Sequence, residues 1–153
     1  MTKNQKGFTL IELLVVISII ALLSVTVFVA LDPVKRFADA RNSRRWSDVN
    51  ETITAVHEYI VDNKGAFPTG LTASMSATQL GTCSSGGATL CSGAAAACVN
   101  LATPLAKYLK TMPIDKQNGT AATTAYKVDV DANNIVTITA CGAENGETIS
   151  VSR

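Results

Sequence analysis

Lys6-Gly7-Phe8-Thr9-Leu10-Ile11-Glu12-Leu13-Leu14 opens a run that stays apolar to Leu31 apart from Glu12 and a few hydroxyls. Ahead of it, residues 1–7 carry Lys3 and Lys6 and no acid. About 20 apolar residues, each rising about 1.5 Å, span the hydrocarbon core of a bilayer. Residues 8–31 therefore predict a helix embedded in lipid or among other apolar helices. A carboxylate in such a segment costs roughly 2.5–3.5 kcal/mol on insertion scales. Glu12 needs a partner and is read as functional.

Two ordinary explanations of the run fall short. A secretory signal peptide has an apolar core of about 7–15 residues followed by a small-residue cleavage site. Leu13 to Leu31 is longer, and Asp32-Pro33 follows instead. A plain membrane anchor explains the length, but neither Glu12 nor the sharp boundary at Gly7-Phe8.

A second helix is predicted over residues 34–63. Trp46, Val49, Ile53, Val56 and Ile60 follow spacings of three and four, which is one apolar stripe. Arg41, Arg44, Arg45, Asp48, Glu51 and Glu58 read as the other faces. Asp32-Pro33 marks either a bend or a restart with Asp32 as cap and Pro33 at the first helical position. Lys64-Gly65 supplies a C-terminal stop. Residues 66–103 form a Cys-bearing loop of small and polar residues, with 101–109 as a short helix ended by Pro113. Residues 124–130, 134–140 and 147–152 alternate as strands, so the sheet occupies about 124–152. The expected fold class is α+β. One long N-terminal helix, apolar in its first half and amphipathic in its second, packs on a small antiparallel β-meander.

Net charge is +1, which gives no global electrostatic case for nucleic acid. Lys35, Arg36, Arg41, Arg44 and Arg45 cluster, but Asp39 and Asp48 lie among them, and the cluster reads as a solvated face. A further reading of the cluster is contact with acids of neighbouring subunits. His57 reads as a surface helix residue, and Trp46 as core or an interface anchor. One histidine and no CxxC or HExxH motif leave zinc and a His-based triad unsupported. Four cysteines allow three pairings. The expected one is Cys83 with Cys91, closing a local loop, and Cys98 with Cys141, tying that loop to the sheet. Asp129-x-Asp131-x-Asn133 begins like a calcium loop, but Asn134 replaces the glycine and Ala140 stands at the twelfth position. A hairpin turn is the preferred reading there.

Gly7-Phe8-Thr9-Leu10-Ile11-Glu12 resembles the class III signal peptides of type IV pilins and of the pseudopilins of type II secretion. The resemblance implies the pilin fold. It implies cleavage between Gly7 and Phe8 by a prepilin peptidase, N-methylation of Phe8, and assembly through Phe8, Thr9 and Glu12. In that family, pairing of Glu12 with the amine of Phe8 is thought to set the assembly register. The chain then reads as leader 1–7, transmembrane or filament-core helix 8–31, and globular head 32–153. Asn63-Lys64-Gly65-Ala66-Phe67-Pro68 resembles the helix end of major pseudopilins, with Lys64 inserted and Phe67 in place of tyrosine. Met112-Pro113-Ile114-Asp115-Lys116-Gln117-Asn118-Gly119 resembles their Pro-x-Asp-Pro-x-Gly loop, near which calcium binds. Lys116 replaces the second proline, and Asp115 joins Asp129 and Asp131 as the weak calcium candidates.

Together these readings predict a pilus subunit rather than an enzyme, with no cofactor. Its partners are other copies of itself, prepilin peptidase, assembly platform proteins and membrane lipid. It begins as a single-pass cytoplasmic membrane protein with the head outside the cytoplasm. It ends in a cell-surface pilus or a periplasmic pseudopilus. The alternatives are a type II secretion pseudopilin and a membrane-tethered binding domain that never polymerises.

Overall fold

The computed structural model describes residues 7–153; the expectations for leader residues 1–6 lie outside the described residues. The chain divides into two compact units, the first ending at Phe37 and the second spanning Ala38–Arg153.

Helix α1 (Leu10–Leu31) contains no glycine or proline and buries none of its residues. It is 22 residues long, about 33 Å at 1.5 Å per residue. Its hydroxyls turn inward on its own backbone. Ser18 donates to the Leu14 carbonyl, Ser24 to Ile20 and Thr26 to Leu23, each at 2.8 Å. An apolar medium therefore meets few free donors along the helix. Helix α2 (Pro33–Asp62) restarts at once. Asp32 adopts a left-handed conformation, and its carboxylate accepts from the Lys35 N–H at 3.3 Å. Of the two expectations, the restart with Asp32 as cap is the one observed.

In the second unit, the α2 stripe lies on a four-stranded antiparallel sheet in the order β1-β2-β3-β4. The strands are β1 (Thr78–Gln79), β2 (Tyr126–Val130), β3 (Val136–Ala140) and β4 (Ser150–Ser152). Val49, Ile53 and Val56 are fully buried, and Trp46 and Ile60 are partly so. Facing them are Tyr126, Val128 and Val130 from β2, and Val136, Ile138 and Ala140 from β3. Both strands show the alternating burial that period-two patterning predicts. The fold is α+β and consistent with the pilin fold.

The helix stop is a Schellman motif. Gly65 N–H bonds the Ile60 carbonyl at 2.8 Å, and Lys64 N–H bonds Val61 at 3.4 Å. The motif places Lys64, not Gly65, at the left-handed position that ends the helix, with φ +57°. A side chain there costs about 1 kcal/mol. Lys64→Gly is therefore expected to stabilise the fold by roughly 0.5–1 kcal/mol, read as a shift in the denaturant midpoint at unchanged slope.

Three expectations need correction. Residues 101–109 form consecutive turns, not a helix, because i→i−4 bonds at Leu105 and Leu109 alternate with i→i−3 bonds at Ala106 and Tyr108. The Cys-bearing loop contributes β1 and buries Leu71, Leu80, Cys91 and Val99. Within it, Gln79 is fully buried, its amide donating to Gly87 O at 2.9 Å and accepting from Ala125 N at 3.0 Å.

The third correction is the disulfide pairing: the bonds are Cys83–Cys98 and Cys91–Cys141, not the expected Cys83–Cys91 and Cys98–Cys141. The two legs of the loop run side by side. Val99 N–H bonds Gln79 O, Gly81 N–H bonds Val99 O, and Cys98 N–H bonds Cys83 O. That pairing sets Cys83 opposite Cys98 and leaves buried Cys91 at the far end to meet Cys141 just after β3. The closed loops differ in length, with separations of 15 and 50 residues. Replacing Cys83 and Cys98 by serine is expected to cost about 3 kcal/mol, and replacing Cys91 and Cys141 about 4 kcal/mol, in equilibrium unfolding.

Candidate functional site

The start of α1 is built around Glu12. Thr9 is the N-cap residue, and its hydroxyl oxygen accepts from the Glu12 N–H at 3.2 Å. Glu12 Oε2 in turn accepts from the Thr9 N–H and the Thr9 hydroxyl, each at 2.8 Å. This reciprocal capping box arises because Thr-x-x-Glu places the two side chains against each other's free backbone donors. The carboxylate is therefore folded onto the helix tip and is not a bare charge. Phe8 is 89% exposed, and a side chain added at Gly7 would meet nothing within 4 Å. The Gly7-Phe8 bond lies outside the helix, ahead of the extended N-cap residue Thr9.

A second charged site, missed as such by the sequence reading, fastens α2 to the loops of the second unit. Arg45, read as part of a solvated face, is 2% exposed. Its Nε donates to Asp115, Nη1 to Glu144 Oε1 at 2.8 Å and Asn42 Oδ1 at 2.9 Å, and Nη2 to Gln117 Oε1 at 3.1 Å. Arg41 adds a fork onto Glu144, with Nε to Oε1 at 2.7 Å. Asn42 donates to Glu144 O and accepts from Glu144 N–H. Trp46 Nε1 donates to Glu147 at 2.8 Å, and the Tyr126 hydroxyl donates to Asp48 at 2.7 Å. The available signal was positional. Ala38, Asn42, Arg45, Val49 and Thr52 continue the buried stripe at three- and four-residue steps. A charge on that line has to be a paired one.

The weak calcium candidates are engaged otherwise. Besides Arg45, Asp115 accepts from the N–H groups of Gln117 and Asn118 at 2.8 and 3.0 Å. Burial pushes its carboxyl up, but these bonds outweigh it and the net shift is downward. Asp131 Oδ1 accepts from Asn133 N–H and Ile135 N–H, each at 2.8 Å, and so shapes the β2–β3 hairpin. Asp129 is half-buried, and burial raises its pKa. Among the described residues, no group of three His, Cys, Asp or Glu side chains is placed to hold a metal. His57 is half-buried on α2, and among the described residues its buried Nε2 has no hydrogen-bond partner.

The Arg41 fork, followed by Arg45, holds the Glu144 carboxyl down to about 2. An acid whose folded pKa is depressed adds stability above its unfolded value and loses it as pH falls through the folded one. Unfolding free energy is expected to be level above about pH 5 and to fall between about 4.5 and 2. Asp129, shifted the other way, blunts the slope. Glu144→Gln should flatten it in acid titrations followed by Trp46 fluorescence; an unchanged slope counts against the assignment.

Residues 2–28 match the family model described as the prokaryotic N-terminal methylation motif. The match spans Gly7-Phe8, the capping box and most of α1, and marks the segment as a class III signal peptide. With the long helix that follows, the chain is consistent with a type IV pilin-like or pseudopilin-like precursor, a structural protein type, anchored in a membrane through α1. No curated protein and no solved structure matches the chain.

Proposed function

We propose that the chain is the structural subunit of a type IV pilus. Prepilin peptidase removes residues 1–7 and methylates Phe8. Assembly platform proteins then extract the subunit from the cytoplasmic membrane, where its head already lies outside the cytoplasm, into a surface filament. The observation that carries this reading is α1, an apolar helix with no buried residue whose tip holds a fixed carboxylate beside the cut site. Lipid and neighbouring helices are both apolar, so one surface serves precursor and polymer. The cut turns the Phe8 amide into an amine next to Thr9, within reach of Glu12. Intact mass and N-terminal sequencing of sheared surface filaments test the proposal. The expected chain starts at methylated Phe8; one starting at Met1 rejects it.

A type II secretion pseudopilin is the second reading. The Met112–Gly119 resemblance favours it, because that segment supplies the Asp115 anchor for α2. The two-disulfide loop, an extensive displayed surface, favours the pilus. Filaments confined to the periplasm would reverse the choice.

A further inference from the structure

The five cations at positions 35–45 do not act as one cluster. Arg41 and Arg45 are consumed by the buried seam, and Arg44 reaches Asp48 at 4.0 Å. Lys35 and Arg36 belong instead to the first compact unit, which ends at Phe37. Both are exposed, and among the described residues neither side chain has an ion-pair or hydrogen-bond partner. The Asp32 carboxylate caps the helix by accepting from the Lys35 backbone N–H, not from its ammonium. Val34 and Phe37 in the same turn are 75% and 66% exposed. At 3.6 residues per turn these two fall within about 60° of each other, and Lys35 and Arg36 take the opposite side. The first turn of α2 is thus two-faced, and the first unit covers neither face.

We propose that this turn seats in the headgroup layer of the membrane, with Lys35 and Arg36 binding the phosphates of anionic phospholipid in the leaflet where α1 ends. The inference rests on the membrane anchoring of α1 and adds its lipid partner. Span length carries it. Helix α1, at about 33 Å, matches a hydrocarbon core about 30 Å thick. Lys35 and Arg36 follow Leu31 by about 6 and 7.5 Å at helical rise, and the headgroup layer adds roughly 5–7 Å on each side. Val34 and Phe37 then face the acyl-chain boundary, while the long cationic side chains carry their charge out to the phosphate oxygens. The guanidinium of Arg36 offers a planar fork of donors, and the ammonium of Lys35 a compact charge. A zwitterionic lipid brings its own cation beside the phosphate, so the pair selects lipids of net negative charge. Drawing either cation deeper among the lipid tails is costly, so phosphate contact also limits how far α1 sinks.

The test reconstitutes the full chain in phosphatidylcholine bilayers with a trace of spin-labelled phosphatidylglycerol or spin-labelled phosphatidylcholine. The fraction of each label immobilised on the protein is read by electron spin resonance. Every chain carries Lys3→Gln and Lys6→Gln, which silences the leader lysines at the other leaflet. Phosphatidylglycerol should be enriched over phosphatidylcholine by at least about twofold at low salt. The preference should vanish near 1 M salt, where the screening length is about 3 Å. Lys35→Gln with Arg36→Gln should bring the ratio close to one, and Lys35→Arg with Arg36→Lys should keep it, since phosphate capture needs charge at this depth. Both positions are exposed, so the variants should retain their two disulfides and float with the vesicles. Equal immobilisation of the two lipids, or a preference that survives the glutamine pair, overturns the inference. So does a preference abolished by inorganic phosphate at matched ionic strength, which would assign the pair to a free anion. A chain that fails to float with vesicles of either lipid overturns the anchoring beneath it.

Discussion

Arg45→Met is expected to remove about 3–5 kcal/mol from the stability of the second unit, the range found when one partner of a buried ion pair is deleted. Methionine fills similar volume, so the loss reports charge and hydrogen bonding more than a cavity. Arg45 and Asp115 are each 2% exposed in their side chains. Without the guanidinium, Asp115 is left with two backbone donors and an uncompensated buried charge. Glu144 keeps Arg41, which makes Asp115 the source of most of the penalty. Asp115→Asn added to Arg45→Met should recover part of the loss, since the amide removes the stranded charge and its oxygen still accepts from the Gln117 and Asn118 N–H groups. Trp46, bonded to Glu147 at the same seam, is the one tryptophan and reports denaturant unfolding of the detergent-solubilised chain. A loss below about 1 kcal/mol would place Arg45 among ordinary surface pairs and reject this reading.

How far the sequence announced this arrangement differs from residue to residue. The apolar run, the 46–60 stripe and the alternation of β2 and β3 are period signals spread over many residues, so no single substitution hides them. Asp32 and Pro33 are local chemistry, and the restart they mark was one of two stated options. Arg45 was misread because charge was weighed before position. Its place on the stripe was visible, but its partners Asp115 and Glu144 lie 70 and 99 residues away and no local rule points to them. Strand β1 is two residues long, too short for any period. The disulfides depended on the loop legs pairing at Gln79, Leu80 and Val99, a tertiary fact that spacing does not encode. At the α1 tip the pattern Thr-x-x-Glu was legible as family motif. Its local meaning, a capping box that occupies the carboxylate before any cut, emerged only from the geometry.

That geometry makes the largest functional prediction divisible. Glu12→Ala is expected to leave α1 inserted and the second unit folded, since removing an intramembrane charge favours insertion and, among the described residues, the Glu12 side chain hydrogen-bonds only to Thr9. Filaments, under the proposed function, should be lost. Deleting one member of a desolvated charge pair costs about 2–5 kcal/mol per contact, at least about thirtyfold for each subunit added. Yet alanine removes two things at once, the charge and the cap. Glu12→Gln separates them. A glutamine in the third helical position still completes the capping box with Thr9, as its amide oxygen accepts the same N–H. It cannot neutralise the Phe8 ammonium. If pairing drives assembly, Gln fails as Ala does, with processed subunits held in the membrane. If the cap alone matters, Gln assembles normally and Thr9→Ala fails with Glu12 intact. A tethered domain that never polymerises predicts no change in surface exposure from any of the three. Filament yield by shearing, membrane accumulation by fractionation and the N-terminal mass of the retained subunit distinguish these outcomes in one set of strains.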